Sequence, residues 1–172
     1  MKLKLIALLL PVILFSCKTN TSEKKEEVEK QNPKSIKSYN YSSLEPLLHK
    51  NDGKTYVVNF WATWCKPCVD ELPYFEKLND NYKNQNVEVL LVSLDFPNQV
   101  ESDLLPFIEN NNIKSHVVLF DDPNQNEWIN KIDKSWSGAL PATLIYNKNQ
   151  RKFFEKPFDY QTLENELKQF IN

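Results

Sequence analysis

Short apolar runs alternate with helical periodicities along most of the chain, and this alternation limits the fold more than any other feature. TYVVNF (Thr55–Phe60) is rich in β-branched and aromatic residues and is bounded upstream by Asn51-Asp52-Gly53. That composition belongs to a buried strand. Leu72, Phe75, Leu78 and Tyr82 then recur at spacings of three, three and four, one face of a helix. A second buried strand is predicted over Val87–Asp95, and an amphipathic helix carries Val100, Leu104, Leu105, Phe107 and Ile108. His116–Phe120 reads as a third strand and Asn126–Ile132 as a short helix. ATLIYN and RKFFEK, joined at Lys148-Asn149-Gln150, read as a hairpin,. Leu163, Leu167, Phe170 and Ile171 mark a C-terminal helix. The order β-α-β-α-β-α-β-β-α predicts an α/β domain over residues 36–172. Parallel strands need helical crossovers on the sheet faces, and the closing hairpin makes the central sheet mixed.

The residues before that domain have another character. Lys2 and Lys4 precede an apolar run from Leu5 to Phe15, which ends at Ser16-Cys17. The run is too short for a membrane span of about 20 residues but suits the core of a signal peptide. Leu14-Phe15-Ser16-Cys17 resembles the lipobox of bacterial lipoproteins, although Phe15 is unusual for its place. The resemblance implies a signal peptide over residues 1–17, removed to leave Cys17 as a lipidated N-terminus. Residues 18–35, KTNTSEKKEEVEKQNPKS, hold almost no large apolar side chain. Such a segment cannot bury enough surface to offset its ordering entropy, so a flexible charged tether is expected.

Composition removes several function classes. The net charge is −2, which leaves no basic excess to neutralise phosphates, so no nucleic-acid partner is expected. The only glycines are Gly53 and Gly138, too few for a Gly-rich phosphate-binding loop.

The chemistry concentrates in NFWATWCKPCVDELPYF, Asn59–Phe75. A zinc site would want a second cysteine pair or two spaced histidines, and the chain has only His49 and His116, far apart,. Haem attachment would want His at position 69, which is Val69,. A disulfide closing so short a loop would staple the fold poorly. No metal and no cofactor are expected. A redox couple fits better. Cys65 follows a strand at the start of a helix, where unpaired N–H groups and partial positive charge stabilise a thiolate. Lys66 adds a cation nearby, and Pro67 suits the first helical turn. Cys68 lies three residues on, within reach but further from solvent. Cys65 is thus the expected nucleophile and Cys68 the resolving thiol.

FWATWCKPC, between a buried strand and a helix, resembles the active site of the thioredoxin superfamily. WCKPCVDELPYF resembles the W-C-x-P-C-x-x-E-x-P pattern of its membrane-anchored, extracytoplasmic TlpA/ResA type. The resemblance implies a thioredoxin-like fold with helices on both faces of the sheet, and a dithiol enzyme that reduces protein disulfides. Several members act during cytochrome c maturation. By the same resemblance Glu71 is the acid that tunes the thiols and accepts a proton. Asn59 stands where cytoplasmic thioredoxins carry a buried aspartate, so that base is missing. Trp61 and Trp64 flank the site, and Pro73 should kink its helix. Pro141 matches a cis-proline loop shared with Trp136 and Gly138, where the Leu140 backbone would pair with substrate. Trp64, Lys66, Pro67, Leu140 and Pro141 are therefore the candidate substrate contacts. The implied partners are a disulfide-bonded protein substrate, a membrane reached through the lipid, and a DsbD-like or CcdA-like transmembrane electron donor. The chain is expected to work as a monomer on the periplasmic side of the cell envelope.

Four other functions fit the residues less well. A thiol peroxidase would want Thr or Ser three residues before Cys65, where Ala62 stands. An oxidant or isomerase of this superfamily usually has His in place of Pro67. A metallochaperone would want a nearby His or Met, and a bare adaptor would not need both thiols and Glu71.

Overall fold

The computed structural model describes residues 35–171. The signal segment 1–17 with Cys17, and the tether before Ser35, lie outside the described residues. Among the described residues no helix is long and apolar enough to cross a membrane.

The predicted alternation is present with one addition at the front. The chain opens with β1 (Ser38–Tyr39) and a short helix α1 (Tyr41–Leu44), which tightens into a 3₁₀ turn over Glu45–Leu48. Neither was predicted: two residues are too few to show a period. Asn40 caps α1 by accepting from the Ser43 N–H, while the Ser43 hydroxyl accepts from the Asn40 N–H. This reciprocal pair satisfies two donors that a helix start leaves open.

Then follow β2 (Thr55–Trp61), α2 (Lys66–Tyr82), β3 (Val87–Ser93), α3 (Leu105–Asn110), β4 (His116–Phe120), α4 (Gln125–Ile132), β5 (Ala142–Tyr146), β6 (Arg151–Phe154) and α5 (Tyr160–Ile171). Helix α2 runs through Pro73 without interruption. The helix expected around Val100–Ile108 is less regular. A 3₁₀ turn at Pro97–Gln99 leads into a wide turn at Val100–Leu104, where the Leu105 N–H reaches the Val100 carbonyl. Pro106 has no N–H to give to Ser102, so the regular ladder cannot run through this point. Of the five apolar positions only Leu104 is fully buried.

The six strands form one sheet in the order β1-β4-β3-β2-β5-β6. The first four strands pair in parallel, and β5 and β6 pair antiparallel. Every residue of β2 is buried, because a central parallel strand has covered faces on both sides. Alternate residues of β2 serve two separate cores. Val57 and Trp61 pack with Leu72, Phe75 and Leu78 of α2 and with Leu163 and Leu167 of α5. Tyr56, Val58 and Phe60 pack on the other face with Leu44, Leu48, Trp128 and Trp136. Asn59 also points to the α2 side, which decides its chemistry.

Candidate functional site

Strand β2 ends at Trp61 and delivers the chain to a tight turn. There the Cys65 N–H donates to the Ala62 carbonyl at 3.1 Å. Cys65 is extended, with φ −92° and ψ 95°, and sits at the N-cap of α2, with Pro67 in the first turn. Cys65 and Cys68 are joined as a disulfide with their Cα atoms 5.3 Å apart. Cys65 is 7% exposed and Cys68 0%, so an incoming sulfur can reach only the first. The N-cap position puts Cys65 at the positive end of the helix dipole, which favours its thiolate once the pair is reduced,. Lys66 sits in the same turn, but its ammonium is paired with Asp70 at 2.6 Å on the exposed side. Its charge is therefore shared with an acid one turn on.

A second loop is tied to this turn. The buried carboxylate of Asp95, just past β3, accepts from the Thr63 N–H (3.1 Å), the Thr63 hydroxyl (2.5 Å) and the Ser93 hydroxyl (2.7 Å). The tie brings Trp64 and Phe96 together, stacked with ring centroids 6.4 Å apart. They are 56% and 59% exposed, an unusual state for large aromatic side chains and one that leaves an apolar shelf beside the disulfide. Trp61, by contrast, is wholly buried against Phe107.

Beneath the disulfide lies a buried polar group. Glu71, three residues after Cys68, is 1% exposed. One carboxyl oxygen accepts from Asn59 Nδ2 at 2.8 Å, and the other accepts from the Phe158 N–H at 2.7 Å. Asn59 Nδ2 also donates to the Thr143 hydroxyl at 3.2 Å. Burial raises the Glu71 carboxyl from 4.5 to about 7, although both hydrogen bonds oppose the rise,. Desolvation wins because two donors replace only part of the hydration that a carboxylate loses. An acid poised near neutrality can accept or release a proton at little cost. Asp70, its neighbour, lies on the solvent side with Lys66.

The third wall is the loop into β5. The Leu140–Pro141 peptide is cis. Ala142 pairs with Phe60, so this loop and the turn leaving β2 lie at the same end of the sheet. Trp136 Nε1 donates to the Ala139 carbonyl at 2.9 Å. Glu155, just past β6, accepts from the N–H groups of Ser137 (3.1 Å) and Ala139 (3.0 Å) and from the Ser137 hydroxyl. Hydrogen bonds to a charged acceptor contribute about 1.5–3 kcal/mol each when sheltered, less when exposed as here. Glu155→Ala is therefore expected to loosen this loop. Amide exchange at Ser137 and Ala139 should speed up about 5- to 30-fold, for a loss of roughly 1–2 kcal/mol, with the Cys65–Cys68 potential unchanged.

The structure thus gathers Cys65, Cys68, Glu71, Trp64, Lys66, Pro67, Leu140 and Pro141 around one end of the sheet. Asp95, Phe96, Thr143, Glu155 and the Phe158 N–H were not anticipated. An acid closing the apolar strand run was a signal for Asp95; the others act through contacts that no local pattern announces.

The AhpC/TSA family model matches residues 34–151. The thiol-disulfide oxidoreductase ResA of Halalkalibacterium halodurans is 31% identical over 102 residues, which are 59% of this chain and 53% of that protein. The ResA of Geobacillus kaustophilus is 34% identical over 105 residues, 61% of this chain and 55% of its own. The chain spans about half the length of these curated relatives. Among solved structures, a thiol:disulfide interchange protein of the thioredoxin family from Chlorobium tepidum superposes with a TM-score of 0.58 at 18% identity. That match covers 70% of this chain and 81% of the other. StoA from Bacillus subtilis superposes with a TM-score of 0.52 at 25% identity, over 67% and 83% of the two chains. These likenesses establish a thioredoxin-like fold.

Proposed function

The chain belongs to the AhpC/TSA family, and from that premise we propose that it is a thiol-disulfide oxidoreductase that reduces disulfide bonds in proteins. The observation that carries this reading is the buried Glu71 carboxyl one helical turn from a helix-capping Cys65–Cys68 pair. The Cys65 thiolate attacks a substrate disulfide, forming a mixed disulfide and expelling one substrate thiolate. The Cys68 thiol gives its proton to Glu71. Its sulfur then attacks Cys65, closing the intramolecular disulfide and expelling the second substrate thiolate. Two electrons pass to the substrate, and the enzyme is left in the disulfide form that this structure holds. A reductant must restore the dithiol. We assign that role to a DsbD-like or CcdA-like membrane partner, and we place the protein on the periplasmic side of the envelope, held by lipid on Cys17. Apocytochrome c is one candidate substrate, since it presents a disulfide in that compartment.

Reduction rather than oxidation is supported by the carboxyl itself. Negative charge near the pair disfavours thiolate and so disfavours the reduced form that an oxidant must stabilise. A peroxidase reading finds less support. Ala62 offers no hydroxyl three residues before Cys65, and the neighbouring Thr63 hydroxyl is engaged by Asp95. The test is the reduction potential of the pair in a glutathione or dithiothreitol redox series. A value near −270 mV, typical of thioredoxin, is expected; one near −120 mV, typical of a strong oxidant, would reverse the assignment.

A further inference from the structure

The Glu71 carboxyl is held by a side chain that can change what it offers. Asn59 is fully buried on β2. Both hydrogens of its Nδ2 are used, one to Glu71 and one to Thr143. Its Oδ1 is buried with no hydrogen-bond partner. Such an orphan acceptor carries a desolvation penalty and asks for a reason. With two donors directed at it, Glu71 is arranged as an ionised carboxylate, which only accepts.

When Glu71 takes a proton, this arrangement fails. The new O–H meets the Asn59 N–H, donor against donor, and the Phe158 N–H cannot accept. A half-turn of the amide resolves the conflict. Oδ1 then faces both Glu71 and Thr143, accepting from the carboxylic acid and from the threonine hydroxyl, which can donate as readily as it accepts. The amide hydrogens become the unpartnered atoms instead. Each orientation leaves one end of Asn59 unsatisfied, which keeps the two close enough in free energy for one proton to choose between them.

We propose that Asn59 is a positioning residue for Glu71, with an amide that donates to the carboxylate and turns over to accept from the acid as the proton arrives. Thr143 follows the turn through its hydroxyl. In the resolving step the Cys68 proton moves to Glu71, no other bond changes, and the amide rotation stabilises the acid just formed. Aspartate at this position could accept but not donate, and an apolar residue could do neither. Among the described residues, Asn59 from β2 and the Phe158 N–H ahead of α5 bond Glu71 directly, Thr143 from β5 bonds Asn59, and Cys65 and Cys68 stand at the start of the same helix. Burial and the hydrogen bonds from Phe158 and Asn59 are what act on its carboxyl, and no charged side chain of the described residues is among them.

This inference rests on reading Glu71 as the proton acceptor, and the experiment separates the two. The whole chain is labelled with ¹³C and ¹⁵N in its disulfide form and titrated from pH 5 to pH 9. The Glu71 Cδ shift reports ionisation, and cross-relaxation between the Asn59 Nδ2 hydrogens and the Thr143 side chain reports amide orientation. The cross-peaks should be strong at pH 9 and disappear at pH 5, with the same midpoint as the carboxyl. In Glu71→Gln, whose own amide donates as the acid does, they should be absent at every pH. Cross-peaks that persist across the Glu71 titration would overturn the switch and leave the proton-acceptor role standing. A wild-type reduction rate in Glu71→Gln would instead remove the role on which the switch depends. In the reduction assay, Asn59→Asp should move the pH midpoint upward by at least about one unit, because a second carboxylate beside Glu71 favours a shared proton. An unmoved midpoint counts against the proposal.

Discussion

A Cys68→Ser variant is expected to capture its protein substrate as a stable mixed disulfide on Cys65 and to lose multiple turnover. The cause lies in the separate exposure of the two sulfurs. Cys65, at the mouth of the helix, can attack an incoming disulfide, whereas Cys68 is closed to solvent and meets only the sulfur of Cys65. Serine keeps the volume but is not a nucleophile toward a disulfide, so the first exchange proceeds and the second stops. On a non-reducing gel the variant should run as a roughly equimolar adduct that dithiothreitol releases. Cys65→Ser should form no adduct at all. If Cys65→Ser were the variant that trapped substrate, the roles of the two thiols would be exchanged.

Glu71→Gln carries the second large effect, and it acts in two opposite directions. On the reaction, the loss of a positioned base is expected to slow reduction by about 10²–10⁴-fold and to remove the pH dependence near neutrality. On the fold, the substitution should help at high pH. The carboxyl is raised from 4.5 to about 7 in the folded protein, so the unfolded chain loses this proton more readily. Below pH 4.5 the group is protonated in both states and costs nothing. As the pH rises from 4.5 through about 7, the folded state is penalised by up to about 3 kcal/mol, and above that the penalty is constant. Urea midpoints measured at pH 5 and pH 8 should fall for the parent chain and stay nearer level for the variant. A cost of this kind to the fold is what the proposed proton-acceptor role predicts for Glu71. Equal rates for the parent and Glu71→Gln would remove Glu71 from the mechanism.

The overall architecture was readable because its signals are local. A parallel strand covered on both faces must be apolar at nearly every position, and TYVVNF and VEVLLV are. A helix lying on a sheet must repeat its apolar residues every three or four positions, as Leu72, Phe75, Leu78 and Tyr82 do. The two-residue strand at Ser38–Tyr39 had no such signal, and the apolar spacing from Val100 to Ile108 reads as one helix although Pro106 breaks its ladder. At the site the same division holds. Cysteines at a strand-to-helix junction announce a redox pair, since strand end, turn and helix start are contiguous in the chain.

By itself, then, the sequence determined the alternating fold, the Cys65–Cys68 pair at a helix start, and the presence of an acid one turn later. It could not say whether that acid faces water or protein. Asp70 and Glu71 are adjacent acids on one helix, and only the packing of α2 against β2 sends one to solvent and the other inward. The partners that define Glu71 are 12 and 87 residues away, and the Thr143 that completes the Asn59 network is 84 residues from it. They meet because β5 pairs with β2 in one register, placing Thr143 opposite Asn59, and because the segment before α5 folds back over α2. Burial and donor geometry are properties of that assembly, and burial is what raises the carboxyl of an otherwise ordinary glutamate to about 7.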